Sequence, residues 1–119
     1  MKILIAEDDT FFQKFYSSEL AERGYEVEIA INGVEALKKM RAHKPDILIL
    51  DIIMPEKDGF EVLEEMQKDV HLKTIPTLVF STLGQEQDVK RATDLGVKHF
   101  INKSFFDFDA LVEKIKEIT

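Results

Sequence analysis

The chain has no cysteine, which excludes disulfides and thiolate metal sites. No apolar run approaches the length of a bilayer span. No internal repeat, low-complexity tract or linker divides it. Proline is scarce, and Pro45, Pro55 and Pro76 all fall outside the expected helix interiors. Positive charge is in deficit: 16 Lys and Arg face 23 Asp and Glu, a net charge of −7. That disfavours direct nucleic-acid binding, which needs clustered cations against phosphates, and it disfavours docking on an anionic membrane. Met1-Lys2 leads at once into a strand pattern and then into acids, unlike a signal peptide. A cytoplasmic protein is the expectation.

What is present suits one compact domain, expected over residues 1–119: hydrophobic residues make up 45% of 119 residues, enough for a packed core. Ile3-Leu4-Ile5-Ala6, Ile47-Leu48-Ile49-Leu50 and Leu78-Val79-Phe80 are continuous apolar runs, the pattern of strands covered on both faces. Glu26-Val27-Glu28-Ile29 alternates as an edge strand does, and His99-Phe100-Ile101 is a fifth strand candidate.

Amphipathic stretches separate these runs. Helices are expected over Thr10–Arg23, with a Thr10–Gln13 capping box and a stop at Gly24, and over Asn32–His43, with Asn32 and Glu35 as cap partners. Others are expected over Asp58–Val70, Gln85–Leu95 and Asp107–Ile118. Five strands alternating with five helices predict an α/β, doubly wound parallel sheet with helices on both faces. Ligands of such sheets sit beyond the carboxyl ends of the strands.

Polar residues occur at those ends. Glu7-Asp8-Asp9 follows the first strand, Asp51 the third, Ser81 the fourth and Lys103 the fifth. At about 5 Å and an effective dielectric near 20, each pair of like charges costs roughly 3 kcal/mol, so such a cluster implies a compensating cation. Oxygen ligands with open positions favour Mg²⁺, and the acids lack the spacing of a calcium loop. Asp51, ending an apolar strand, is the candidate nucleophile, since carboxylates form covalent phosphoryl intermediates. Lys103 is placed to cancel charge on phosphoryl oxygens and Ser81 to hydrogen-bond one of them. Asp9 reads as a solvated loop or cap residue beside the Thr10 cap, favoured by the positive end of the helix, and Ser81 fits better than Thr82 because it continues the strand. His43, His71 and His99 have no metal-ligand spacing and read as surface residues.

These residues, with Met54-Pro55 and Gly59, resemble the receiver domain of two-component response regulators over nearly the whole chain. The resemblance implies a flavodoxin-like strand order 2-1-3-4-5. It implies Asp51 as phosphoacceptor, Asp8 and Asp51 as direct Mg²⁺ ligands with Mn²⁺ as a substitute, Glu7 acting through water, and the Ile53 backbone carbonyl as a further ligand. Ser81 and Phe100 are the implied switch pair.

Implied donors are a histidine kinase, a phosphotransfer protein or a small acyl phosphate. The implied output is a change of the surface formed by the fourth helix, fifth strand and fifth helix, about Gln85–Ile118, read by a downstream protein effector or by a phosphorylation-dependent homodimer. The chain would catalyse only its own phosphorylation and dephosphorylation; the position two after Asp51, an acid in phosphatases with an Asp nucleophile, is Ile53. The alternative is a degenerate receiver acting as a phosphorylation-independent interaction module.

The sequence departs from the receiver pattern in three places. Ser104 follows Lys103 where proline is usual, Phe100 replaces the commoner tyrosine, and Val97-Lys98-His99 stands where one subfamily carries acids. Ile53 and Leu83, two residues after Asp51 and Ser81, are bulky and apolar, which predicts slow self-hydrolysis of the phosphoryl group.

Overall fold

The apolar runs form the strands β1 (Lys2–Ala6), β3 (Ile47–Leu50) and β4 (Thr77–Ser81) at the centre of a five-stranded parallel sheet. β2 (Glu26–Ala30) and β5 (His99–Asn102) form its edges, and the order is β2-β1-β3-β4-β5, as expected. The computed structural model describes residues 1–103 and 108–118. All four residues of β3 are buried, whereas those of β5 are half-buried, as a central and an edge strand should be.

Alternation along the strands separates two cores. Leu4, Leu48, Leu50 and Val79 face α2 (Gly33–Ala42), α3 (Gly59–Gln67) and α4 (Glu86–Asp94) through Leu37, Met40, Leu63, Met66 and Ala92. Ile3, Ile5, Ile49, Leu78 and Phe80 face α1 (Thr10–Glu22) and α5 (Phe108–Ile118) through Tyr16, Leu20, Leu111 and Ile115. Each buried Leu, Ile, Val, Met or Phe side chain among these contributes about 1.5–3 kcal/mol by leaving water. Among the described residues, no helix is long and apolar enough to cross a membrane.

Local chemistry corrects some sequence expectations and bears out others. The cap of α1 is Asp9, whose carboxylate accepts from the N–H groups of Phe11 (2.8 Å) and Phe12 (3.3 Å), so the Thr10–Gln13 box does not form. Gln13 instead donates to the Glu7 carbonyl at 2.7 Å. Asn32 accepts from the Glu35 N–H at 2.8 Å, while the Glu35 side chain reaches the Ile31 N–H. Helix α3 stops at Gln67, short of the expected Val70, because the Asp69 carboxylate takes the N–H groups of His71 and Leu72 and starts a 3₁₀ turn, Leu72–Thr74. Val70 is left 71% exposed. Gly24 (φ +88°) and Gly96 (φ +91°) end α1 and α4 in the left-handed conformation that other residues resist.

Helix α4 buries only Ala92 along its own length. It is tied to α3 by polar contacts: Arg91 lies 2.9 Å from Glu64 and over the Phe60 ring, and Gln67 donates to the Leu95 carbonyl. His43 and His71 are exposed, whereas His99 is half-buried and lies 3.5 Å from Glu117. The start of the last helix at Asp107 and the geometry of the Lys103–Ser104 peptide lie outside the described residues.

Candidate functional site

Residues just past the ends of β1, β3 and β5 meet at the carboxyl rim of the sheet. The Glu7 N–H bonds to the Ala30 carbonyl, extending the β1–β2 ladder by one residue, and its side chain turns into the rim, where it is 2% exposed. The chain then leaves the sheet: Asp8 is exposed and Asp9 caps α1. Asp51 is held in the same way, its N–H bonding to the Ala6 carbonyl at 3.0 Å. One carboxylate oxygen from each of Glu7, Asp8 and Asp51 lies within 4.8 Å of the others.

Lys103 is the cation among them. Its Nζ donates to Asp51 Oδ2 at 2.9 Å and makes a shorter hydrogen bond to Glu7 Oε1. All three side chains are nearly inaccessible to water, so their attraction is little screened. The second Glu7 oxygen accepts the Asp9 N–H at 3.3 Å, and Asp51 Oδ1 accepts the Ile53 N–H at 3.2 Å. Burial raises the Glu7 carboxyl to about 7; Asp51 pushes the same way, and the Lys103 hydrogen bond opposes both. Burial also pushes the Tyr16 phenol upward, reinforced by the negative charges of Glu7, Asp51 and Asp9.

Two glycines allow this packing. A Cβ on Gly59 would lie 2.6 Å from the Asp51 carbonyl oxygen, and one on Gly33 would lie 2.2 Å from that of Lys57. Both sit where a helix start closes on the segment after β3, and the Gly59 N–H bonds to the Ile52 carbonyl at 2.8 Å.

Ser81 ends β4 fully buried, and its Oγ accepts the Leu83 N–H at 3.3 Å; Thr82 is exposed. Phe100, in β5 opposite Val79, is half-buried against the core beneath α2–α4. The Ile53 side chain is 52% exposed beside the acids, and Leu83 is half-buried. The Phe12 ring, 4.5 Å beneath the Lys103 ammonium, is a contact that the sequence pattern does not reveal. An aromatic residue in the first turn after the acids is its only sequence signal.

Chemically the rim offers hard oxygen donors with net negative charge beside one buried ammonium. This donor set fits Mg²⁺, which takes one or two carboxylates and completes its shell with water and phosphate.

Residues 3–116 match the response regulator receiver domain family. Among curated proteins, the probable transcriptional regulator ycf29 of Porphyra purpurea is 34% identical over 98% of this chain and 55% of its own length. The DNA-binding dual master transcriptional regulator RpaA of Synechocystis is 30% identical over 98% of this chain and 48% of its own. The chain thus spans about half the length of these relatives. Among solved structures, the chemotaxis protein CheY4 of Vibrio cholerae superposes with a TM-score of 0.91 at 27% identity, covering 99% of this chain and 98% of that one. The receiver domain of a histidine kinase from Syntrophus aciditrophicus gives 0.89 at 32% identity, covering 98% and 88%.

Proposed function

The chain belongs to the response regulator receiver domain family, a component of two-component signal transduction, and on that premise we propose that it is a switch controlled by phosphorylation of Asp51. The observation that carries this reading is the buried Lys103 ammonium shared by Asp51 and Glu7 beside the exposed Asp8.

An Asp51 oxygen attacks the phosphorus of a phosphohistidine, on a kinase or phosphotransfer protein, or of a small acyl phosphate. A new O–P bond forms, and the donor's P–N or P–O bond breaks with its electron pair leaving on the donor. Asp8, Asp51 and the Ile53 carbonyl would hold Mg²⁺, with Glu7 acting through water, and the bound ion would supply positive charge to offset repulsion between the carboxylates and the incoming phosphoryl group. Lys103 moves its hydrogen bond from the carboxylates to a phosphoryl oxygen. The Ser81 hydroxyl releases the Leu83 N–H and donates to another. Phe100, only half-buried, turns inward as Ser81 moves, and the surface of α4, β5 and α5 changes for a downstream protein. Water later restores the Asp51 carboxylate and frees inorganic phosphate.

The test is incubation with Mg²⁺ and acetyl phosphate followed by mass spectrometry. One added phosphoryl group is expected, absent without Mg²⁺ and absent in Asp51→Asn. A wild type that gains none would leave the phosphorylation-independent module as the better reading.

A further inference from the structure

The Lys103 ammonium meets carboxylates on two sides and an aromatic ring on another. Its Nζ stands 4.5 Å from the centroid of Phe12 and 5.8 Å from that of Phe80, with the lysine side chain only 5% exposed. Both distances fall within the range in which a ring face attracts a cation, and the attraction grows when water is excluded. Phe12 is wedged in place. It stands edge-on to Phe80 at 6.2 Å, stacks on Tyr16 at 5.9 Å and meets Phe11 edge-on at 5.4 Å. The Asp9 cap fixes the turn that presents the ring.

We infer that Phe12 positions Lys103 for phosphoryl transfer, its ring face supporting the ammonium while the cation passes from Glu7 to a phosphoryl oxygen on Asp51. This rests on the reading of Asp51 as phosphoacceptor. The physical reason is a difference in directionality. A hydrogen bond to Glu7 weakens steeply once its angle opens, whereas attraction to a broad ring face tolerates a sideways shift. Without the ring, a buried ammonium in transit would face a gap.

The bland alternative is that Phe12 merely fills space. Pentafluorophenylalanine at position 12 separates the two, because it keeps the shape and reverses the electrostatics of the ring face. Phe12→Tyr keeps the attraction, and Phe12→Leu removes it at similar volume. The readouts are the ring-current shift of the Lys103 Hε protons by NMR, which needs no phosphorylation, and the rate of Asp51 phosphorylation at saturating acetyl phosphate with Mg²⁺.

The wild type should show upfield-shifted Hε protons. The fluorinated and leucine proteins should be phosphorylated about 3- to 30-fold more slowly with unchanged half-saturation for the donor, and tyrosine should restore the rate. A fluorinated protein phosphorylated at the wild-type rate, or wild-type Hε protons at their random-coil position, overturns the inference. A wild type that is never phosphorylated overturns instead the reading of Asp51, and the Hε shift then reports separately on the Phe12–Lys103 contact.

Discussion

Gly59 lies so close to Asp51 that a methyl group on its Cα would stand 2.6 Å from the Asp51 carbonyl oxygen and 2.6 Å from Ile52 Cα. Both neighbours are backbone atoms and cannot swing aside. Gly59→Ala should therefore push the start of α3 away from the segment that carries Asp51. The expected loss is about 1–3 kcal/mol, the usual cost of overpacking, measured by urea unfolding. Phosphorylation by acetyl phosphate should slow as well, because Asp51 moves relative to Lys103. A variant with wild-type stability and rate would show that the two segments separate freely.

Asp8 is the exposed member of the acidic cluster, and the Lys103 hydrogen bonds go to Glu7 and Asp51. Asp8→Asn should relieve repulsion and raise the melting temperature in metal-free buffer. Mg²⁺ should stabilise the wild type by mass action, about 2.7 kcal/mol at a concentration 100 times its Kd, and should stabilise Asp8→Asn far less. Calorimetry with and without Mg²⁺ checks both; equal Mg²⁺ responses would remove Asp8 from the ligand set.

Ile53 stands half-exposed beside the acids, its N–H on Asp51, and Leu83 follows the buried Ser81 with its N–H on the serine hydroxyl. Their bulk is expected to obstruct the water that hydrolyses the phosphoryl group. Ile53→Asn and Leu83→Glu should each shorten the phosphoprotein lifetime by a factor of about 3 or more, still far below the 10²–10⁴ a well-placed base supplies. Decay followed by mass spectrometry decides, and unchanged lifetimes in both variants refute the idea.

Asp69 is held below its usual carboxyl range, first by the His71 N–H and then by the Leu72 N–H, with the Arg41 charge a lesser cause. A carboxyl depressed in the folded state stabilises it above the unfolded pKa, and that stability is lost as pH falls through the folded value. Asp69→Ala should therefore melt below the wild type at pH 7, and the gap should close as pH drops below about 4. A gap that stays constant down to pH 2 would mean that the charge of Asp69 contributes nothing.

Much of this protein is written locally. The strands at Lys2–Ala6 and Ile47–Leu50 follow from continuous apolar runs, and Gly24 and Gly96 mark helix ends because few other residues accept their backbone angles. The order of acids, serine and lysine along the chain was equally readable. Capping is less legible. Asp9 rather than Thr10 caps α1, and Asp69 ends α3 before Val70, because short carboxylates compete for N–H groups within two or three residues and several stood within reach.

The sequence by itself determined the alternation of strands and helices, and so the placing of each polar group at a strand end. Only the tertiary structure decided which groups meet. Lys103 bonds to Glu7 across 96 positions of chain and to Asp51 across 52. Those contacts depend on the order of strands in the sheet, and so does the Phe12 ring under the ammonium. Periodicity over a few residues can specify a strand or a helix face. It carries no information about which distant side chain will share a buried charge.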